Sequence, residues 1–331
     1  NGDPYRPVQG GDFNGNIDPD GSGELVNKDF AFDDQNKIES KGLAATYDYE
    51  FDAFTFTSVT DWKNFTRVIG LDSDQTASPE LIFQSDGDIT QFSEELRLNG
   101  STMNMKWVAG FYYLNIDTEY LQGLAASPTG GYLAGEEQNT LADITTDSYS
   151  VFGQIDYDLD DDLVLVAGLR LVQENKSLDG QLVQNANLDD RVIEVDDTAT
   201  PLVDVALEND KFMWSAKLQL DYKPNEDTLL YAGVNRGVKA GNFNAPLGGA
   251  FSTYDPEVLL AYEAGAKLTL MDGKAQVNSS VFYYDYEDYQ SFSWVNNAGV
   301  VFNEQAHFTG AEVEILLNPV DALDIMLGAS Y

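Results

Sequence analysis

Apolar and polar residues alternate along most of the chain, which is the pattern of a β-strand whose two faces meet different surroundings. In the segment 211–222 one face carries Phe212, Trp214, Ala216, Leu218, Leu220 and Tyr222, and the other, mostly polar, carries Lys211, Met213, Ser215, Lys217, Gln219 and Asp221. The pattern predicts about twelve strands, near 41–51, 54–68, 88–98, 105–120, 143–158, 162–176, 210–223, 227–238, 257–270, 273–286, 303–317 and 322–331. The chain is therefore predicted to be all-β.

The connections between these strands alternate between short and long. The short ones are rich in Gly, Pro, Asn and Asp, as tight turns require, and lie at 52–53, 99–104, 159–161, 223–226, 271–272 and 318–321. The long ones lie at 69–87, 121–142, 177–209, 239–256 and 287–302. Short periplasmic turns and long extracellular loops are typical of a transmembrane antiparallel β-barrel. A soluble acidic β-protein, such as an adhesin passenger, is the alternative.

Polar strand faces indicate what fills such a barrel. One predicted strand presents Gln91, Ser93, Glu95, Arg97 and Asn99 on a single face, and another presents Lys274, Gln276, Asn278 and Ser280. These faces cannot meet hydrocarbon, so they are expected to line a wide lumen that is wet or filled by protein. Aromatic residues near strand ends are expected to form interfacial girdles; they are Trp107, Phe111, Tyr112, Tyr113, Trp214, Phe282, Tyr283, Tyr284 and Tyr286.

Composition excludes several functions. The chain has 18 Lys and Arg against 56 Asp and Glu, a formal net charge of −38, which argues against nucleic acid as a partner. It has no cysteine, hence no disulfide and no thiolate metal site. Since His307 is the single histidine, no histidine-bearing zinc motif or Ser-His-Asp triad is expected elsewhere, and we predict no enzymatic activity, no cofactor and no resident metal. Acidic loops at 72–74 and 196–197 leave bound Ca²⁺ open.

Five segments resemble a known family in the right order. They are 91–98 (QFSEELRL) with 107–113 (WVAGFYY), 230–244 (LYAGVNRGVKAGNFN), 254–257 with 262–267 (YDPE, YEAGAK), 281–290 (VFYYDYEDYQ) and 310–314 (GAEVE). Together they are similar to the middle and late barrel of TonB-dependent receptors, in the siderophore-receptor-like branch, over roughly residues 45–331. The resemblance implies a barrel of 22 strands around a plug domain.

On this resemblance, residues 1–331 are part of the barrel, with 1–40 as an extracellular loop; the plug, the TonB box and the last strands are absent from the sequence. A complete twelve-stranded barrel is the alternative. The implied function is TonB-dependent active import of a scarce nutrient across the outer membrane of a Gram-negative bacterium, with a ferric siderophore as first choice. A carbohydrate or another nutrient, or a passive porin-like channel, remains the alternative, and the scarcity of histidine disfavours haem.

Partners and contact residues follow from the same resemblance. The TonB–ExbB–ExbD complex is expected to act through the missing plug, and outer-membrane lipid and lipopolysaccharide are expected around the wall. Ligand contacts in this family come from loops, the upper lumen and the plug apex. The candidates in this sequence are Arg191, Arg236, Lys239, Asn242, Asn244, Trp294, Asn296 and Asn297. Solvated loop residues, or a structural signature at 239–244, would explain the same residues without a ligand.

Overall fold

Long strands make up nearly all of the described chain. The computed structural model describes residues 35–73, 81–126, 137–185, 199–247, 251–295, 298–320 and 322–331. Its strands are β1 (Gln35–Glu50), β2 (Thr55–Asp72), β3 (Leu81–Ser101), β4 (Met105–Ala126), β5 (Glu137–Asp158), β6 (Leu163–Asn185), β7 (Thr200–Glu208), β8 (Lys211–Asn225), β9 (Thr228–Lys239), β10 (Asn242–Asn244), β11 (Ser252–Tyr254), β12 (Glu257–Leu270), β13 (Ala275–Val295), β14 (Ala298–Val320) and β15 (Leu323–Ser330). No helix among these residues has the length and apolar character of a membrane span.

The strands form one antiparallel sheet in which neighbours in sequence are neighbours in space, in the order β1-β2-β3-β4-β5-β6-β8-β9-β12-β13-β14-β15. β7 also pairs with β6, and it keeps the register of β8: Leu163 lies opposite Tyr222 and Ser177 opposite Glu208. β7 and β8 therefore act as one long strand interrupted at 209–210. Twelve wall strands result, which confirms the predicted all-β, transmembrane antiparallel barrel class and strand number.

The strand ends differ from the predicted ones on the side of the long connections. β3 begins at Leu81 instead of 88, β4 runs to Ala126 and β6 to Asn185, while 200–208 form β7 inside a predicted loop. Residues 35–40, expected in a loop, belong to β1; the rest of that expected loop, 1–34, lies outside the described residues. The predicted long loops are shorter than expected because the wall continues beyond the apolar band.

The register shows which side chains share a face. Strand residues opposite one another point to the same side, so the apolar row of β8 continues through its neighbours, for example from Leu218 to Val234, Tyr262 and Tyr283. We call this the outward face and the opposite one the inward face. On β4 the outward apolar band runs from Met105 to Tyr113, nine residues, which matches the strand length needed to cross a bilayer.

Aromatic rings close the upper end of this band. On neighbouring strands the ring of Tyr113 lies 4.9 Å from that of Tyr149 and 6.3 Å from that of Phe92, measured between centroids. This arrangement fits an interfacial girdle. Phe282 and Tyr284 do not belong to it: they are on the inward face, stacked on each other at 4.6 Å, contrary to the girdle expected there.

Above the girdle the outward face becomes acidic. Asp88, Glu119, Asp143 and Asp179 lie directly opposite one another on the four consecutive strands β3 to β6. In these strand extensions both faces carry polar residues. Apolar and polar residues therefore do not alternate there, and a prediction based on that alternation does not detect the extensions. Like charges in directly opposed positions destabilise a sheet.

On the inward face, aromatic rings lie flat over glycines. A Cβ atom built on Gly265 would lie 2.6 Å from Tyr231 Cζ and 2.6 Å from Ser279 O. Gly310 under Phe282 and Gly110 under Phe152 are equally close to their rings. Such pairs cover the exposed backbone at glycine and keep the rings against the wall instead of across the lumen.

Gly265→Ala is expected to destabilise the barrel by about 1–3 kcal/mol, because the methyl group displaces the Tyr231 ring or the Ser279 carbonyl. Gly237→Ala is the matched control, since a Cβ at that inward glycine of β9 meets nothing nearer than Leu259 Cβ at 4.0 Å. The measurement is the melting temperature in detergent, which is determined from the heat-induced shift in electrophoretic mobility. Equal melting temperatures for the two variants would contradict the packing described above.

Asp143→Asn is expected to raise the stability of the wall by roughly 0.2–1 kcal/mol, because it removes the charge between Glu119 and Asp179. The gain should shrink at high ionic strength, as salt screens exposed charges. Glu39→Gln is the contrasting control, since Glu39 pairs with Lys37 at 2.7 Å and its neutralisation should give no gain. Denaturant unfolding at low and high salt measures both effects, and a gain independent of salt would speak against repulsion.

Candidate functional site at the inward hairpin

The connection between β9 and β12 turns into the lumen instead of out into solvent. We call its described residues, 240–247 and 251–256, the inward hairpin. Its two short strands pair Asn242 with Tyr254 and Asn244 with Ser252. The ends of the hairpin approach so closely at Gly241 that a Cβ there would overlap Tyr254 O. A residue without a side chain is therefore required at this position.

Apolar side chains fix the hairpin to the inward faces of β4 to β7. Phe243, 7% exposed, packs with Ala142 and Leu178, each 1% exposed. Partly buried neighbours complete the cluster; they are Tyr120, Ile144, Val205, Leu207, Ala245 and Phe251. The ring of Phe251 lies over Gly180, where a Cβ would come within 2.7 Å of it. Burying one such aromatic ring contributes about 1.5–3 kcal/mol, so the wall holds the hairpin in place.

Hydrogen bonds from the same strands reach the hairpin backbone. Tyr120 Oη donates to Ala245 O at 3.0 Å, and Lys176 Nζ donates to Gly241 O at 2.9 Å. Burial raises the pKa of Tyr120 to about 12, so the phenol remains a donor at any physiological pH. These bonds supply donors to hairpin carbonyls that have turned away from water.

Asn209 explains the interruption between β7 and β8. Its backbone N–H still donates to Lys176 O at 2.9 Å, which keeps the register of the long strand. Its side chain, on the inward face, donates from Nδ2 to Asn242 O at 3.3 Å and to Tyr254 O at 3.2 Å. A single buried amide thus holds both arms of the hairpin.

The other side of the hairpin is held by β14. The Asn244 amide donates to Val301 O at 3.1 Å and accepts from Val301 N–H at 2.8 Å. It occupies both polar groups of Val301, as the backbone of a neighbouring strand would. The hairpin is therefore tied to the wall on two sides, at β4–β7 and at β14.

A β-bulge brings further polar contacts to the base of the hairpin. β13 carries one extra residue between Tyr286 and Tyr289, and Asp288 there has φ 54°. Tyr289 packs with Tyr286 and Phe308, while Gln290 Nε2 donates to Ala240 O at 2.8 Å. Opposite Gln290, Asn303 on β14 exchanges hydrogen bonds with the backbone of Asp255: its Nδ2 donates to Asp255 O at 3.0 Å, and its Oδ1 accepts from Asp255 N–H at 2.8 Å.

The predicted contact residues fall into distinct places. Asn242 and Asn244 belong to the hairpin; Asn244 has a structural role, whereas the buried Oδ1 of Asn242 has no hydrogen-bond partner among the described residues. Lys239 ends β9, exposed, opposite Glu257. Trp294, 70% exposed, meets Phe292 edge-on near the end of β13.

The remaining candidates are not brought to this region. Arg236 lies on the outward face, where its guanidinium stacks on the Trp214 ring at 4.0 Å and donates to Trp214 O. Arg191, Asn296 and Asn297 lie outside the described residues, as do the acidic loop residues 74 and 196–197. Among the described residues no three His, Asp or Glu side chains form a metal-binding group.

Sequence reasoning missed the residues that hold the hairpin. Asn209 and Gln290 fall in predicted long connections and Asn303 begins a predicted strand, and at such positions a polar side chain is expected to be solvated. Asn209-Asp210 does interrupt two alternating segments, and that interruption is the one signal of a special role. The contacts of Gln290 depend on a bulge that alternation cannot reveal.

Asn209→Ala is expected to loosen the hairpin without unfolding the wall, because two half-buried carbonyls lose the Asn209 side chain as donor. Amide hydrogen exchange within 240–256 should become about tenfold faster, a cost in the range of one or two hydrogen bonds. Asn278→Ala is the control, an inward asparagine whose Nδ2 donates to Glu314 at 3.4 Å, away from the hairpin. Unchanged exchange in Asn209→Ala would show that the apolar cluster alone holds the segment.

The fold and the family can be compared with known proteins. The ferric yersiniabactin uptake receptor FyuA of Yersinia pestis has 18% identity and a TM-score of 0.69, with 88% of this chain and 42% of that chain covered. The siderophore receptor PiuA of Acinetobacter baumannii has 15% identity and a TM-score of 0.64 over 90% and 47%. The copper transporter OprC has 14% identity and a TM-score of 0.64 over 88% and 45%.

These likenesses show the fold, and this chain spans less than half the length of each of the three structures. The family itself is shown by a family model, "TonB dependent receptor-like, beta-barrel", which matches residues 1–331. The chain therefore belongs to the TonB-dependent receptor β-barrel family.

Proposed function

We propose that this chain forms part of the wall of a TonB-dependent active transporter in the outer membrane of a Gram-negative bacterium. The observation that carries the proposal is the match of the family's barrel model to all 331 residues. The polar inward face supports it, since a wall that lines a plugged lumen needs groups able to meet protein or water. The TonB–ExbB–ExbD complex is the proposed energy source, acting through a plug domain.

The proposed substrate is a ferric siderophore. Structures of similar fold include a ferric yersiniabactin uptake receptor, a ferric citrate transporter and a copper transporter. Metal complexes are thus a recurrent cargo of this fold, although the likeness does not extend to the binding residues. A carbohydrate or another nutrient is the alternative cargo. Haem is disfavoured, because the single histidine, His307, lies on the outward face beside Asp285, 3.8 Å from Nδ1 to Oδ1.

The region of the inward hairpin supports a role in substrate access. The hairpin lies on the inward face of the strands on the side of the long connections, where solutes enter a barrel of this class. Lys239 is exposed there, on the inward side of β9, and can offer a cation to an anionic complex. Ca²⁺ bound by the acidic loops remains a proposal as well, with carboxylates as its ligands.

Uptake of the cargo should require TonB. In a strain that expresses the full-length receptor, accumulation of radioactive iron from siderophore-containing medium should fall to background when the tonB gene is deleted, since energy for active import comes from that complex. The control is the same strain with an empty vector. Uptake that persists without TonB would favour a passive porin-like channel, and TonB-dependent growth on an oligosaccharide without iron uptake would favour the carbohydrate alternative.

A further inference from the structure

An apolar groove crosses the outward face of β8, β9, β12, β13 and β14. It has a volume of about 930 Å³. Its floor consists of small residues in register, Ala232, Ala264 and Ala311, and larger side chains border it. The border includes Leu218, Leu220, Val234, Tyr262, Tyr283 and Tyr331. The groove lies within the apolar band, so hydrocarbon is the solvent that reaches it.

The cation of Arg236 lies next to the groove on the extracellular side. Arg236 is two residues beyond Val234 on the same face of β9, about 7 Å further along the strand. On the described strands β2 to β15 it is the one lysine or arginine in the outward rows; the others point inward or lie near turns. On β1, Lys37 and Lys41 also point outward.

The contacts of Arg236 fix the position of its guanidinium group relative to the membrane surface. The guanidinium lies 4.0 Å from the centroid of the Trp214 ring, and Nη1 donates to Trp214 O. Its other nitrogens have no acceptor among the described residues. Tryptophan at the end of an apolar strand marks the level of the headgroups. An arginine fixed at that level, with donors left over, is suited to bind a phosphate by two parallel hydrogen bonds.

Charge elsewhere on the outward face favours this location for an anionic lipid. On β3 to β6 the level above the girdle carries the acidic row of Asp88, Glu119, Asp143 and Asp179. That row repels phosphate. Near the groove the acid Asp285 is two strands away from Arg236 and has His307 beside it at 3.8 Å. The surface around Arg236 is thus the part of the β2–β14 wall that complements an anionic headgroup.

We propose that this surface binds one lipopolysaccharide molecule of the outer leaflet, with a lipid A phosphate on Arg236 and an acyl chain in the groove. The inference rests on the membrane-spanning fold and not on the transported substrate. Lipid A is the occupant because Arg236 lies at the end of the strands that leads to the long, extracellular connections. The bound lipid would contact the outward side chains of β8 to β14 at the same time.

The test is the affinity of the full-length receptor for lipid A in mild detergent, measured as bound lipid per protein by native mass spectrometry. Arg236→Gln should weaken binding about tenfold, as expected for loss of one charge-assisted contact, and Arg236→Lys should recover most of it. Ala264→Phe fills the groove and should also weaken binding. Lys41→Gln and Ala45→Phe, outward positions on β1, are the matched controls and should bind as the unaltered receptor does.

Two further binding measurements use the unaltered receptor, so the proposal stays testable if a variant fails to fold. Dephosphorylated lipid A should bind about tenfold more weakly than the phosphorylated form. Phosphatidylglycerol, which carries a phosphate and acyl chains but belongs to the other leaflet, should bind more weakly than lipid A. Equal binding of dephosphorylated lipid A, or of the Arg236→Gln and Ala264→Phe variants, overturns the proposal; equal binding of phosphatidylglycerol overturns the choice of lipid A. None of these measurements involves uptake, so a failure of the proposed transport would leave them unaffected.

Discussion

A bilayer offers no water to unpaired backbone N–H and C=O groups, and this constraint shapes the whole wall. Each central strand must pair on both sides along its full length, which is why the strands follow one another in chain order with few register shifts. Where the strands leave the hydrocarbon the constraint relaxes. The interruption at 209–210 and the bulge at Asp288 both lie in these extensions, and both contribute contacts to the inward hairpin.

Much of the wall could be predicted because the two faces of a strand meet different surroundings within hydrocarbon: side chains on the outward face are predominantly apolar there. For this reason all twelve wall strands were found, with their short turns. The strand extensions could not be predicted in this way because both of their faces are polar, as the row from Asp88 to Asp179 shows on the outward side. The inward hairpin could not be predicted for another reason. Its contacts join residues far apart in sequence, such as Tyr120 and Ala245, which are 125 positions apart.

The alternation of apolar and polar residues also contains information about Arg236. It shares its parity with Val234 and Val238 on β9, so alternation already places it outside the lumen, whereas Lys239 falls on the inward side. Its surroundings combine features that are separate elsewhere on this wall: a cation, a tryptophan and an apolar groove. The two faces of one strand thus meet two environments, and a shift of one position along the strand moves a side chain from one environment to the other.

The bulge at Asp288 has a meaning for how such a wall can change over evolutionary time. A residue inserted into a strand moves every later side chain to the opposite face, which in hydrocarbon would expose polar groups to lipid. The bulge on β13 contains one such insertion, absorbed above the membrane, where both faces tolerate polar residues. Its effect was to free Gln290 from the row of Tyr286, Tyr289 and Phe308 and bring it to Ala240. Insertions and deletions in this family should therefore accumulate beyond the girdle, where they supply new contacts at the lumen entrance while the membrane crossing keeps its length.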